Sequence, residues 1–232
     1  MINVSSFQSL GAVDGPGVRF VVFLQGCNLR CKYCHNPETL SIKENDLYKA
    51  EELFDRIERY KSYIKNSGGV TFSGGEPLLQ AEQLIPLFRL LKKNGYHIAL
   101  DTNGSILNNS VKELLTYVDL VLLDVKMPCE SLYYEYTGLK IINVLEFLDY
   151  LENQKIKTWI RQVVIEGVND TDENIEFLNG ILKKECIEKI ELLPFKKICI
   201  EKYKSMNLKF PMEDFKETDI KVINRMKNEL AL

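Results

Sequence analysis

The chain has 232 residues, about 45% of them hydrophobic and 27% charged, with a net charge of −3. That length and apolar share suit one large globular domain or one α/β barrel-like unit. The scattered charge argues against nucleic-acid binding, which calls for a basic face. No apolar run reaches the roughly 18 residues that a membrane span needs. Residues 1–6 show no basic stretch followed by an apolar core, so no signal peptide is visible and a cytoplasmic location is expected. Cysteines there seldom form structural disulfides. Six cysteines, three of them close together, therefore read as a metal or redox site.

Taken in order, residues 18–24 are rich in β-branched and aromatic side chains and read as a buried strand, preceded by a glycine-rich loop over 11–17. Leu47, Ala50, Leu53, Ile57, Tyr60 and Ile64 recur at helical spacing, which predicts a helix over 47–65. A short strand at 69–72 precedes a helix at 81–94 that stops at Gly95. Strands at 96–100 and 119–123 bracket a helix at 110–117. A helix at 142–153 leads into a strand at 158–165. Thr171 is an N-cap for a helix reaching about 184, and a strand at 187–193 and a helix at 217–230 complete the chain. Six strands each precede a helix, which implies a parallel sheet with right-handed crossovers. Periodicity alone does not separate a partial barrel from an open doubly wound sheet.

Chemically loaded residues sit at or just past successive strands. Cys27, Cys31 and Cys34 follow the first, Ser73-Gly74-Gly75-Glu76-Pro77 the second and Asp101-Thr102-Asn103-Gly104 the third. Asp124 and Lys126 follow the fourth, Arg161 lies in the fifth, and Lys196 follows the sixth. Parallel α/β folds place their ligand sites at these strand ends.

The cysteines are spaced C-x-x-x-C-x-x-C. Three thiolates can hold three irons of a four-iron cluster and leave the fourth open to a substrate. A zinc site would need a fourth ligand from His35, His97 or a distant cysteine. A thioredoxin-like pair would use only Cys31 and Cys34. The third thiol at this spacing favours the cluster. Tyr33, just before the last cysteine, either packs under the loop or stacks on an adenine. The two glycines before Glu76 permit a close backbone approach, although an ordinary tight turn reads the same way in isolation. Asp101 and Asp124 end apolar strands, where a carboxylate needs a partner, a ligand or a cation. Lys126 and Arg161 can pair with them or hold a ligand carboxylate. Cys129, Cys186 and Cys199 share no spacing and read as incidental, and His97 reads as structural.

The triad with its aromatic, followed by Gly-Gly-Glu-Pro, resembles the radical S-adenosylmethionine superfamily. Gly15-Pro16-Gly17-Val18-Arg19-Phe20, residues 101–104, 119–126 and 159–161, and Ile190-Glu191-Leu192-Leu193-Pro194-Phe195 narrow the resemblance to the glycyl-radical-enzyme activating family, in its pyruvate formate-lyase branch. No cysteine-rich insert follows the first motif, as many other activases have. The resemblance implies one radical S-adenosylmethionine core domain over 1–232, a partial (β/α)6 TIM-like barrel with a short N-terminal loop extension and a C-terminal helix. It implies a 4Fe–4S cluster on Cys27, Cys31 and Cys34 and S-adenosylmethionine as cofactors. It further implies an electron from flavodoxin or ferredoxin, a glycyl radical installed on pyruvate formate-lyase, and no protein acid or base. An oxygen-sensitive cluster implies an anaerobic setting, and a monomer is the simplest state.

By the same matching, Gly74, Gly75 and Glu76 face the methionyl amino group. Tyr33 and Asn36 lie near the adenosyl portion or the target peptide, and Asp124, Lys126, Arg161 and Lys196 contact the ligand. Asp101, Thr102 and the Leu122 carbonyl line a monovalent-cation site, while Asp14 and His35 meet the glycyl loop. One stretch departs from the family. A histidine and then a Leu-Gly pair are usual after Leu192-Leu193-Pro194 and an aromatic, and here the chain reads Lys196-Lys197-Ile198-Cys199. That change bears on the ligand contact, the adjoining loop and the choice of partner.

Overall fold

Each of the six expected strands forms, together with two that the sequence pattern hides. In chain order the strands are β1 (Ile2–Gly11), β2 (Val18–Leu24), β3 (Asp46–Tyr48), β4 (Gly68–Gly74), β5 (Ile98–Thr102), β6 (Leu120–Asp124), β7 (Thr158–Val164) and β8 (Ile187–Pro194). The helices are α1 (Ala50–Glu58), α2 (Lys61–Ile64), α3 (Ala81–Lys93), α4 (Asn109–Leu115), α5 (Glu130–Thr137), α6 (Ile141–Gln154), α7 (Asp172–Ile181), α8 (Ile200–Ser205) and α9 (Ile220–Glu229). This computed structural model describes residues 1–231. It falls into two units, one of Met1–Asn28 with Thr39–Leu122 and one of Leu29–Glu38 with Leu123–Leu232. No helix among the described residues is long and apolar enough to cross a membrane.

In the first unit the strands run in the order β3-β1-β2-β4-β5-β6. β2, β4 and β5 are parallel, with Val22 opposite Phe72 and Phe72 opposite Leu100. Their interiors are buried on successive residues, as strands covered on both faces must be. Phe72 packs on Phe88 of α3 with ring centroids 4.5 Å apart.

β1 and β3 extend this sheet antiparallel, and neither is expected from the sequence. β1 carries register shifts between Val4 and Ser6 and between Gln8 and Gly11, which break the two-residue alternation that would reveal it. The expected helix over 47–65 begins instead with β3 and then divides. Tyr60, at φ −103° and ψ 6°, interrupts it between α1 and α2. The strand expected at 96–100 starts two residues later, where Asp119 accepts the Ile98 N–H at 2.8 Å.

In the second unit β7 and β8 pair in parallel, which sets Arg161 opposite Glu191. Thr171 caps α7 as expected, its hydroxyl accepting from Asn174 N at 3.3 Å. α5 and α8 are additions to the sequence reading. α5 carries Tyr133, Tyr134 and Tyr136 around its surface and so lacks a clear apolar stripe. α8 has only six residues and is anchored by Tyr203, whose ring lies 5.0 Å from that of Phe210.

Candidate active site

In the first unit the turn after β4 is built by backbone approach. At Gly75 a Cβ would lie 2.0 Å from the Gly26 carbonyl oxygen, and at Gly74, with φ 109°, it would lie 2.3 Å from Leu24 N. The glycines are therefore required by the neighbouring chain. Their absent side chains let Gly75 N reach Leu24 O at 2.9 Å and Glu76 N reach Gly26 O at 2.7 Å. This ties the turn to the residue before Cys27.

Glu76 itself is fully buried. Its Oε1 accepts from Leu78 N at 3.0 Å and from Thr102 Oγ1 at 2.5 Å, and its Oε2 accepts from Asn103 N at 2.8 Å. Burial pushes its pKa up to about 7, against the pull of the Thr102 hydroxyl and the two backbone donors. The carboxylate thus latches the end of β4 to the end of β5. Asp101 accepts from Ser73 Oγ at 2.7 Å, and Thr102 Oγ1 also accepts from Gly104 N at 3.0 Å. Leu122 is buried in β6. Asp14 offers its backbone carbonyl to Thr71 Oγ1 at 2.6 Å.

The second unit holds Cys31 and Cys34, and α5 fastens their loop. Arg30 N donates to Thr137 O and Lys32 N to Tyr136 O, both at 2.9 Å. Burial raises the Cys34 thiol pKa, with the Asn36 N–H opposing. Tyr33 is only 5% exposed, and its hydroxyl has no hydrogen-bond partner among the described residues. Burial likewise raises its pKa, while the charge of Lys126 lowers it. Lys126 Nζ donates to Asp124 Oδ2 at 2.6 Å. Burial works against the Lys126 charge, but Asp124 and then Cys31 and Tyr33 outweigh it and raise its pKa.

The remaining expected residues have protein partners in the same unit. Arg161 Nε donates to Glu191 Oε2 at 2.9 Å, a partner that the sequence reading missed but that the β7–β8 register supplies. His35 Nε2 lies 2.8 Å from the Lys196 carbonyl oxygen. The Lys196 ammonium turns instead to Glu217 Oε2 at 3.1 Å. Lys202 of α8, also missed, donates to Asn36 Oδ1 at 2.8 Å and to Glu38 Oε1 at 2.5 Å. Its signal in the sequence is slight, because it lies 166 residues from Asn36.

None of the six cysteines is in a disulfide, and Cys27, Cys31 and Cys34 are each partly exposed. Among the described residues no three His, Cys, Asp or Glu side chains are gathered as a ready-made metal site. The fit of an iron–sulfur cluster rests on the donor set: three accessible thiols on one short loop, which is the ligand type and number for three irons. The orphaned Tyr33 hydroxyl, nine-tenths buried, is the kind of group that a bound ligand satisfies.

The chain is similar to several known proteins. A radical S-adenosylmethionine methyltransferase from Sphaerobacter thermophilus superposes with a TM-score of 0.67 at 18% identity, covering 99% of this chain and 74% of that one. The two chains therefore share a fold, here an α/β arrangement built on parallel strands. The model of the 4Fe–4S single cluster domain matches residues 13–140. The pyruvate formate-lyase-activating enzyme of Clostridium pasteurianum is 44% identical over 94% of this chain and 92% of its own length. The pyruvate formate-lyase 1-activating enzyme of Escherichia coli K12 is 38% identical over 98% and 94%. The chain belongs to the pyruvate formate-lyase-activating enzyme family.

Proposed function

We propose that the protein installs a glycyl radical on pyruvate formate-lyase by removing a Cα hydrogen from a glycine of that enzyme. A 4Fe–4S cluster and S-adenosylmethionine are its cofactors. When bound, they supply a one-electron reductive cleavage and the hydrogen-abstracting species that it releases. The observation that carries the reading is the loop of three thiols, Cys27, Cys31 and Cys34, none in a disulfide, directly after β2.

The protein's own groups bind and orient. The three thiolates hold three irons. Gly74 and Gly75 offer backbone to the methionyl end, and Glu76 holds that turn in place through its three donors. The Tyr33 hydroxyl and Asn36 serve the adenosyl end. The Asp124–Lys126 and Arg161–Glu191 pairs present charge to the ligand's polar groups. Lys196 lies beside the ligand through its backbone, which His35 already contacts. Asp101, Thr102 and the Leu122 carbonyl hold a monovalent cation. Asp14 and His35 meet the incoming glycyl loop. No protein side chain acts as acid or base, since the reaction moves a hydrogen atom.

A reduced flavodoxin or ferredoxin supplies the electron to a monomer in the cytoplasm. The test is anaerobic incubation with S-adenosylmethionine, a reductant and pyruvate formate-lyase, followed by electron paramagnetic resonance of the lyase. A glycyl signal and new formate-dependent activity are expected. Cleavage of S-adenosylmethionine with no radical on the lyase would assign the protein to another glycyl-radical partner, and no cleavage would overturn the reading.

A further inference from the structure

Arg19 is fully buried in the first unit, and nothing in the chemistry above uses it. All five of its N–H groups have acceptors. Nε donates to Thr71 Oγ1 at 2.6 Å. Nη1 donates to Pro16 O at 3.3 Å and to His97 Nδ1 at 3.2 Å. Nη2 donates to Val70 O at 2.6 Å and to His97 O at 3.3 Å. Each of these acceptors is neutral. Burial lowers the guanidinium pKa to about 10, with Asp119 and then Asp14 opposing from further away. A buried charge without a contacting counter-charge is unfavourable, and an apolar side chain would fill the space at a smaller penalty. What the arginine contributes is the direction of its donors.

Those donors fix a turn. An arginine only donates, so the Thr71 hydroxyl uses a lone pair on Nε and directs its own proton to the Asp14 carbonyl at 2.6 Å. Pro16 O is held by Nη1. The arginine stem lies against Gly15, where a Cβ would sit 3.2 Å from Cδ. On the other side Gly17, at φ 72°, has no room for a Cβ because Ser67 O would be 1.5 Å away. The His97 ring takes part as an acceptor, so its Nδ1 is unprotonated and its proton sits on Nε2. The turn is clamped at Asp14, Gly15, Pro16 and Gly17, while Val13 beside it is 75% exposed. A segment pinned from beneath and open above is preorganised for a partner.

We propose that Arg19 and Thr71 are positioning residues for glycyl-loop binding, holding the 14–17 turn in the conformation that presents Asp14 to the incoming peptide. The proposal rests on the reading of Asp14 as a glycyl-loop contact. It concerns the affinity for the peptide and leaves the chemical step alone.

The test uses the full reconstituted chain and a synthetic peptide spanning the radical-bearing glycine of pyruvate formate-lyase. Thr71→Val keeps the volume and removes the relay, whereas Thr71→Ser keeps the hydroxyl. Thr71→Val is expected to raise both the peptide Kd by calorimetry and the KM about tenfold with kcat unchanged. Thr71→Ser is expected to stay within about twofold of wild type. In an Asp14→Ala background Thr71→Val should add nothing, because the two act through one contact. Should Thr71→Val fail to fold, Arg19→Lys, which keeps the charge but loses the fork, is expected to shift KM the same way. An unchanged KM, a fall in kcat with KM unchanged, or the full tenfold loss persisting in the Asp14→Ala background would each overturn the proposal. A wild-type protein that cleaves S-adenosylmethionine but binds no peptide would instead sink the glycyl-loop reading beneath it.

Discussion

The two units spend their polar groups differently. In the first, the buried charges are already answered by the protein. Glu76 has donors on both oxygens, and Arg19 has an acceptor for every N–H. In the second, the buried Tyr33 hydroxyl has no hydrogen-bond partner among the described residues, and Cys31 and Cys34 are partly exposed thiols. Polar groups satisfied by the chain act as scaffold, and a buried group left open marks where something else binds. The Gly-Gly-Glu turn is thus held by the first unit's own chain, whereas the loop that follows Asn28 carries the open groups.

The largest effect that can break this contrast lies in the open region. Cys31→Ala is expected to abolish iron incorporation and S-adenosylmethionine cleavage while the far-ultraviolet circular dichroism stays native. Normal cleavage by that variant would end the assignment.

Next comes the latch. Because burial raises the folded pKa of Glu76 from 4.5 to about 7, its folded form prefers the proton. Its stabilising contribution is present below about pH 4.5 and is lost as pH rises through about 7, a difference of about 3 kcal/mol. Glu76→Gln removes that dependence. It also turns an amide N–H toward Asn103 N or Thr102, so a loss of about 1–3 kcal/mol is expected from the unsatisfied donor. Urea titrations of both proteins at several pH values check this, and the same pH dependence in wild type and Glu76→Gln between pH 4.5 and 7 would refute the raised Glu76 pKa.

A smaller effect of opposite sign is expected at Tyr33. Deleting an unpartnered buried hydroxyl by Tyr33→Phe should stabilise the cofactor-free protein by about 1 kcal/mol. It should also weaken S-adenosylmethionine binding, because the ligand loses its hydrogen bond. A variant that is less stable without cofactor would show the hydroxyl to be satisfied within the chain.

The smallest effect belongs to Lys196→His. The Lys196 side chain pairs with Glu217 at an exposed position, and such pairs contribute little. The melting temperature is expected to hold and ligand binding to persist or improve. A large loss of binding would give the Lys196 ammonium a role of its own.

Much of this was legible in the sequence because β2, β4, β5 and β6 are buried on successive residues and read as apolar runs, and β7 and the more exposed β8 also lie where the sequence places them. The thiol spacing and the placement of polar residues at strand ends were equally legible, since both are local in the chain. What escaped depends on register or on long separations. β1 is masked by its two shifts in pairing, and α5 by tyrosines on several faces. The Arg161–Glu191 pair follows only from strand alignment, and the Asn36–Lys202 contact from tertiary folding. Glu76 shows the limit most clearly. Its motif points to a ligand-facing turn, but only the structure shows that its carboxylate is occupied by Leu78, Thr102 and Asn103.

The central claim is a cluster with one iron open to S-adenosylmethionine. The most direct measurement is anaerobic electron paramagnetic resonance of the reconstituted, reduced protein with and without that ligand. A reduced-cluster signal that changes when S-adenosylmethionine is added is the predicted result. A silent, zinc-containing sample, or a cluster signal indifferent to the ligand, would contradict it.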